Sequence, residues 1–260
     1  MGPQFVDFNA DGITDLFTAT FDGSPWVALG SKEGFKQPEI IKDKNGERVM
    51  LSQHWDYEAK KWTNKDHTGG MEAGAHCISA YAFDWDVDGD FDLVLGGDNG
   101  HLWLQMNEGS AKEAKFSGLS KQIQCEGKAL DAGDKISSPR LIDWDGDGLS
   151  DIVLGTFGDS YGEGKGGSIM WFRNTGKKGA PEFAAAKTLI SASEKDAKEA
   201  ARPDAGLYFD VMDYNGDGTL DLIVGGYSMW KDASAKPATV RKPYVWVYLQ
   251  KPAKSADTSK

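Results

Sequence analysis

Four short stretches of the chain carry oxygen ligands at one alternating spacing, and that spacing suits the binding of a hard cation. In "DWDGDGLSD", Asp143, Asp145, Asp147 and Asp151 crowd four carboxylates into nine residues. Acids that close together repel one another and resist losing solvent, so the arrangement calls for a positive charge among them. The pattern recurs as Asp7, Asn9, Asp11 and Asp15, as Asp84, Asp86, Asp88 and Asp92, and as Asp213, Asn215, Asp217 and Asp221. The first acids lie 84 − 7 = 77, 143 − 84 = 59 and 213 − 143 = 70 residues apart. Chance supplies one such match readily; four in order mark an internal repeat.

The ligand set can be written out. An EF-hand shares the alternating acids and central glycine, but needs a bidentate Glu at its twelfth position and flanking helices. Here the twelfth positions are Thr18, Leu95, Leu154 and Val224, all inside apolar runs, while the ninth position is Asp in every copy. The expectation is a shorter loop between two strands, gripping its cation through positions one, three, five and nine. The seventh residue, Ile13, Asp90, Leu149 or Thr219, would add its backbone carbonyl. Gly12, Gly89, Gly148 and Gly218 would allow the sharp turn. An all-oxygen, largely carboxylate shell favours Ca²⁺ over Mg²⁺. The amides of Asn9 and Asn215 should make the first and fourth sites weaker.

The elements that must position these loops are strands. Apolar residues lead into each loop and an apolar run follows it, then a second run: "PWVALGS", "HLWLQMN", "SIMWFRN" and "YVWVYLQ". Aromatic and β-branched content bounded by Gly, Asn or Pro is strand-like. A weaker third segment follows in three copies: "KQPEIIKD", "FSGLSKQIQ" and "EFAAAKTLI". Four antiparallel strands per unit predict an all-β chain of four propeller blades, about 1–75, 76–135, 136–200 and 201–250, with a flexible tail at 251–260. The fourth unit shows no outer strand. The only helix candidate, "SASEKDAKEAAR" at 191–202, reads better as a surface linker.

Composition narrows the function. The net charge of −11 argues against a nucleic-acid partner, and no apolar run is long enough to span a membrane. Four Ca²⁺ would bring −11 to about −3, so most of the acidity needs no outside partner. No signal peptide is evident at the N-terminus. Cys77 and Cys125 should lie about three strand spacings apart, which predicts two free, buried thiols.

With its D-x-[DN]-x-D-G-x-x-D-[LI] loops and the stretch "MWFRNTGKKGAPEF", the chain resembles the FG-GAP/VCBS repeat family over about residues 5–250. These are calcium-loop β-propellers related to the integrin α-subunit head. The resemblance implies a Ca²⁺ clamp at the rim of each blade, a place outside the cytoplasm, and no single activity. Its propellers commonly have seven blades, which leaves three readings of the four found here: a closed four-bladed ring, an open arc, or a ring that needs missing or partner blades.

Three insertions exceed what the repeat requires. Residues 43–76 carry Trp55, Tyr57 and Trp62 with His54, His67 and His76, and are either a partner surface or an extra hairpin packed on the blade. The spacing of the three histidines matches no metal rule. Residues 155–167 and 225–243, with Tyr161, Tyr227 and Trp230, should emerge on one face of the ring. No Ser-His-Asp order, P-loop or dinucleotide motif occurs. The chemistry therefore points to a non-catalytic, calcium-stabilised extracellular module binding a protein or polysaccharide. A propeller-fold polysaccharide lyase or hydrolase, and a structural subunit of a larger complex, are the alternatives.

Overall fold

A computed structural model describes residues 2–133, 136–158, 166–193, 203–231, 234 and 239–251. The helix candidate from 194 onward, Tyr161 and the tail beyond 251 lie outside them. The described chain is all β, and its four main sheets are four antiparallel propeller blades. In blade one the strands Gln4–Val6, Asp15–Ala19, Pro25–Ala28 and Glu39–Ile40 lie in sequence order from the inside out. Blade two is built from Cys77–Phe83, Asp92–Gly97, Leu102–Gln105 and Lys121–Gln122, and blade three from Ser137–Ile142, Asp151–Thr156, Ile169–Phe172 and Lys187–Ile190. Blade four has three described strands, Ala205–Met212, Asp221–Lys231 and Thr239–Tyr248. Its last two pair as far as Lys231 with Thr239, so the long insertion there is an extension of the hairpin.

Side-chain alternation sets how the blades stack. The residues one and three places after the ninth acid face the preceding blade, and the residue between them faces the next. Thus Leu93 and Leu95 pack into blade one while Val94 packs into blade three. Ile152 and Leu154 turn toward blade two, Val153 toward blade four, and Leu222 and Val224 back toward blade three. Burial on both faces explains why these second strands read as continuous apolar runs. Three hydrophobic cores result, between blades one and two, two and three, and three and four. Near the inner strands Arg140 is buried between the rings of Tyr81 and Phe209, 5.5 and 5.7 Å from their centroids, and pairs with Asp210.

Both cysteines are free, as expected, but only Cys77 is fully buried; Cys125 is half-exposed because it sits in a two-residue edge strand outside blade two. Burial pushes the Cys77 thiol up to about 12. Among the described residues no helix is long and apolar enough to cross a membrane.

Candidate metal centres and the opposite face

The four acidic loops share one hydrogen-bonded frame. The first Asp accepts the backbone N–H of the fifth and sixth residues: Asp11 and Gly12 on Asp7, Asp88 and Gly89 on Asp84, Asp147 and Gly148 on Asp143, Asp217 and Gly218 on Asp213. The fifth Asp accepts the N–H of the seventh residue, so Ile13, Asp90, Leu149 and Thr219 close the same turn. Gly148 has φ +88 with open space around its missing side chain, so conformation rather than crowding demands glycine there. The fourth position is also left-handed. It is Gly146 and Gly216 in blades three and four, but Ala10 (φ 52) and Val87 (φ 65) in the first two.

In blades two and three the first three acids come together. Asp84, Asp86 and Asp88 each offer an oxygen within 4.8 Å of the others, as do Asp143, Asp145 and Asp147. Such a cluster of carboxylates has the donor chemistry of a hard-cation site. Blade two adds an orphaned atom: Asp90 Oδ1 is buried with no hydrogen-bond partner. Burial and the neighbouring Asp88 raise the Asp90 carboxyl above its usual range. The residues therefore fit a divalent cation, which would neutralise the loop and tie its two strands together.

The ninth acids stand behind the loops. Asp15, Asp92, Asp151 and Asp221 are at most 1% exposed, and each joins the loop to the third strand through both oxygens. One oxygen accepts the N–H of the second loop residue: Phe8, Trp85, Trp144 or Tyr214. The other accepts the N–H of Gly30, Asn107, Asn174 or Gln250 just past the third strand. Burial pushes Asp92 up to about 6 against those hydrogen bonds, and raises Asp151 as well.

What neutralises each loop differs. Asn9 and Asn215 donate their side-chain amides to Asp11 and Asp217 at 3.1 and 2.9 Å. In blade three Arg173 pairs with Asp145 at 2.6 Å and Asp147 at 2.8 Å. The corresponding residues at the ends of the other third strands are Leu29, Met106 and Leu249, so sequence spacing alone did not connect Arg173 with the loop. Among the described residues no salt bridge reaches the blade-two loop.

The turns between second and third strands lie at the other end of the blades from these loops, and the insert after blade one packs on them. It forms a hairpin, Gln53–Asp56 with Lys61–Asn64, in which Trp55 and Trp62 pair across the strands with rings 5.7 Å apart. The Trp55 N–H donates to the Asp22 carbonyl in the blade-one turn, and the Asp98 N–H in the blade-two turn donates to the His76 carbonyl. Glu72 clasps that second turn, accepting from Asn99 at 2.7 Å and meeting His101 at 2.6 Å. Trp62 lies over His76 at 4.8 Å yet remains 42% exposed, and Tyr57 is 65% exposed. His54, His67 and His76 form no metal-ligating group among the described residues. Tyr227 is half-buried, edge-on to Phe157 at 6.2 Å. Trp230 lies in the hairpin extension, its side chain outside the description.

No curated protein and no solved structure matches the chain. From the third acidic loop into the second strand of blade four, residues 143–224, the sequence matches the family model of an FG-GAP-like repeat, in keeping with the resemblance carried by the loops.

Proposed function

We propose that the chain is a non-catalytic binding and assembly module whose acidic loops hold structural Ca²⁺ and whose opposite face recognises a protein or polysaccharide outside the cytoplasm. The observation that carries this reading is the division of labour between the two ends of the blades. Carboxylates gather at one end, while the exposed aromatics Tyr57 and Trp62 stand on a hairpin at the other. Up to four cations are expected, with blade two the strongest site because its acids have no internal counter-charge. Exposed aromatic faces suit sugar rings or apolar protein side chains.

Two measurements test the halves separately. If Ca²⁺ binds only the folded chain, excess chelator should lower stability by about 2.7 kcal/mol per site relative to calcium at a hundred times Kd; an unchanged Tm removes the structural-calcium half. A glycan and protein binding panel should show Trp62→Ala and Tyr57→Ala weakening capture while leaving calcium-dependent melting intact. Capture that survives both changes removes the ligand face from this hairpin.

A further inference from the structure

The interface between blades is built three times inside the chain and left half-made at each end. Its forward half uses the residue two places after the ninth acid together with residues of the third strand. Phe17, Val94 and Val153 are all completely buried there. The matching residue of blade four is Ile223, opposite Val247, and the hydrophobic cluster over blade four leaves both out. Val245 shows the contrast most clearly. Its counterparts by register, Leu102 opposite Gly96 and Ile169 opposite Gly155, are both 0% exposed, whereas Val245, opposite Gly225, is 73% exposed. Met212 and Leu249 extend this free face, 49% and 55% exposed.

The backward half is free on blade one. Two places before the first loop acid, Ala82 and Leu141 are 1% and 6% exposed, whereas Phe5 is 63% exposed. Leu16 and Thr18 point the same way as Phe5. They are only partly buried where Leu93, Leu95, Ile152 and Leu154 are fully buried. Trp26 stands where blade two has its completely buried Trp103, each paired three places after the ninth acid.

We propose that these two faces meet between two copies of this chain, blade four of each against blade one of the other, closing a ring of eight blades. The chain itself supplies the argument for a second copy. A forward face of this strand register takes a backward face of the same register at every junction already made, and the free example of that backward face is blade one. A head-to-tail contact of this kind closes when its rotation does, and eight blades lie within the range of propellers. The inference stands on strand register and burial, independently of the cation and ligand readings above.

The test is the solution mass of the 260-residue chain in calcium, by light scattering over a dilution series. The expected mass is twice the 28.2 kDa of one chain. Phe5→Asp and Val245→Asp, each at an exposed position, should weaken pairing at least about tenfold by burying an unpaired carboxylate while keeping a cooperative melt, lowered only by the stabilisation that pairing adds. Mixed in equal amounts, the two variants should recover part of the pairing that each lacks alone, as an open dimer held by the one junction of two unaltered faces while the junction carrying both carboxylates stays apart. Phe5→Ser and Val245→Thr carry the same test if an aspartate variant lacks a cooperative melt. A wild-type monomer throughout, pairing broken by only one of the two variants, or no recovery on mixing would each overturn the proposal.

Discussion

Arg173 reaches back from the end of its strand to bridge Asp145 at 2.6 Å and Asp147 at 2.8 Å, placing a guanidinium across two acids of the blade-three loop. The neighbouring carboxylates hold its own pKa above the ordinary arginine range. A divalent ion entering that loop must compete with this charge, while the blade-two loop contains no such competitor.

Replacing Arg173 with Met, the residue at the equivalent position of blade two, should therefore tighten calcium at the third loop several-fold. It should leave the affinity of the second loop unchanged. Without calcium the same change should loosen the loop, since Asp145 and Asp147 then repel each other unscreened. Calorimetric titration of the variant against wild type resolves the two sites. Equal affinities before and after the substitution would show that the guanidinium does not oppose the ion.

Two acids of this loop should respond in opposite ways to loss of their carboxylates. Asp151 is completely buried and accepts from Asn174 N at 2.6 Å, Trp171 Nε1 at 2.8 Å and Trp144 N at 3.2 Å. Asp151→Ala strands all three donors and should cost about 3–5 kcal/mol, with or without calcium. Asp145→Ala should cost little in chelator and show its defect only when calcium is added. Denaturant melts of both variants under both conditions decide the matter. A calcium-dependent loss at Asp151 equal to that at Asp145 would make the ninth acid chiefly an ion ligand.

Val87 adopts φ 65 at the fourth loop position, where blades three and four have glycine. A β-branched residue in the left-handed region carries strain of about 1–2 kcal/mol. Its side chain is 59% exposed, so little packing offsets that cost. Val87→Gly should stabilise the protein by up to about 1 kcal/mol after glycine's greater freedom in the unfolded chain is counted. A lowered Tm for the variant in saturating calcium would contradict the strain.

The acidic loops and the order of strands in each blade were legible because each is local. Asp, Gly and apolar residues at fixed offsets dictate a turn and the strands on either side of it. The distant pairings were not. Arg173 meets its loop only through the register of the third strand, and the insert's position depends on Trp55 donating to Asp22 across 33 residues (55 − 22 = 33). The free faces were hidden for a different reason. Ile223 and Val247 are as apolar as Val94 and Leu104, so their sequence does not distinguish a face covered within the chain from one left open. Nor could spacing reveal that both oxygens of each ninth acid accept backbone N–H groups.

The last prediction concerns acid. His67 is 3% exposed in the insert, its N–H donating to the Leu51 carbonyl and its own carbonyl accepting from Ser120. Gln105 Nε2 lies 3.5 Å from its Nδ1, which suits a neutral ring accepting at that nitrogen. Burial lowers its pKa below the ordinary value, with Lys65 acting in the same direction and Asp43, Asp66 and Glu47 opposing. Below about pH 6.5 the unfolded chain takes up a proton that the folded chain resists. Stability should therefore fall as pH drops from about 6.5 to the lowered folded value, and this contribution should level off below it. One proton allows a slope of at most about 1.4 kcal/mol per pH unit. His67→Gln, which keeps a polar side chain but cannot titrate, should remove that part of the slope. Denaturant melts of both proteins between pH 5 and 7.5 in saturating calcium provide the comparison; parallel curves would mean that His67 accepts its proton as readily folded as unfolded.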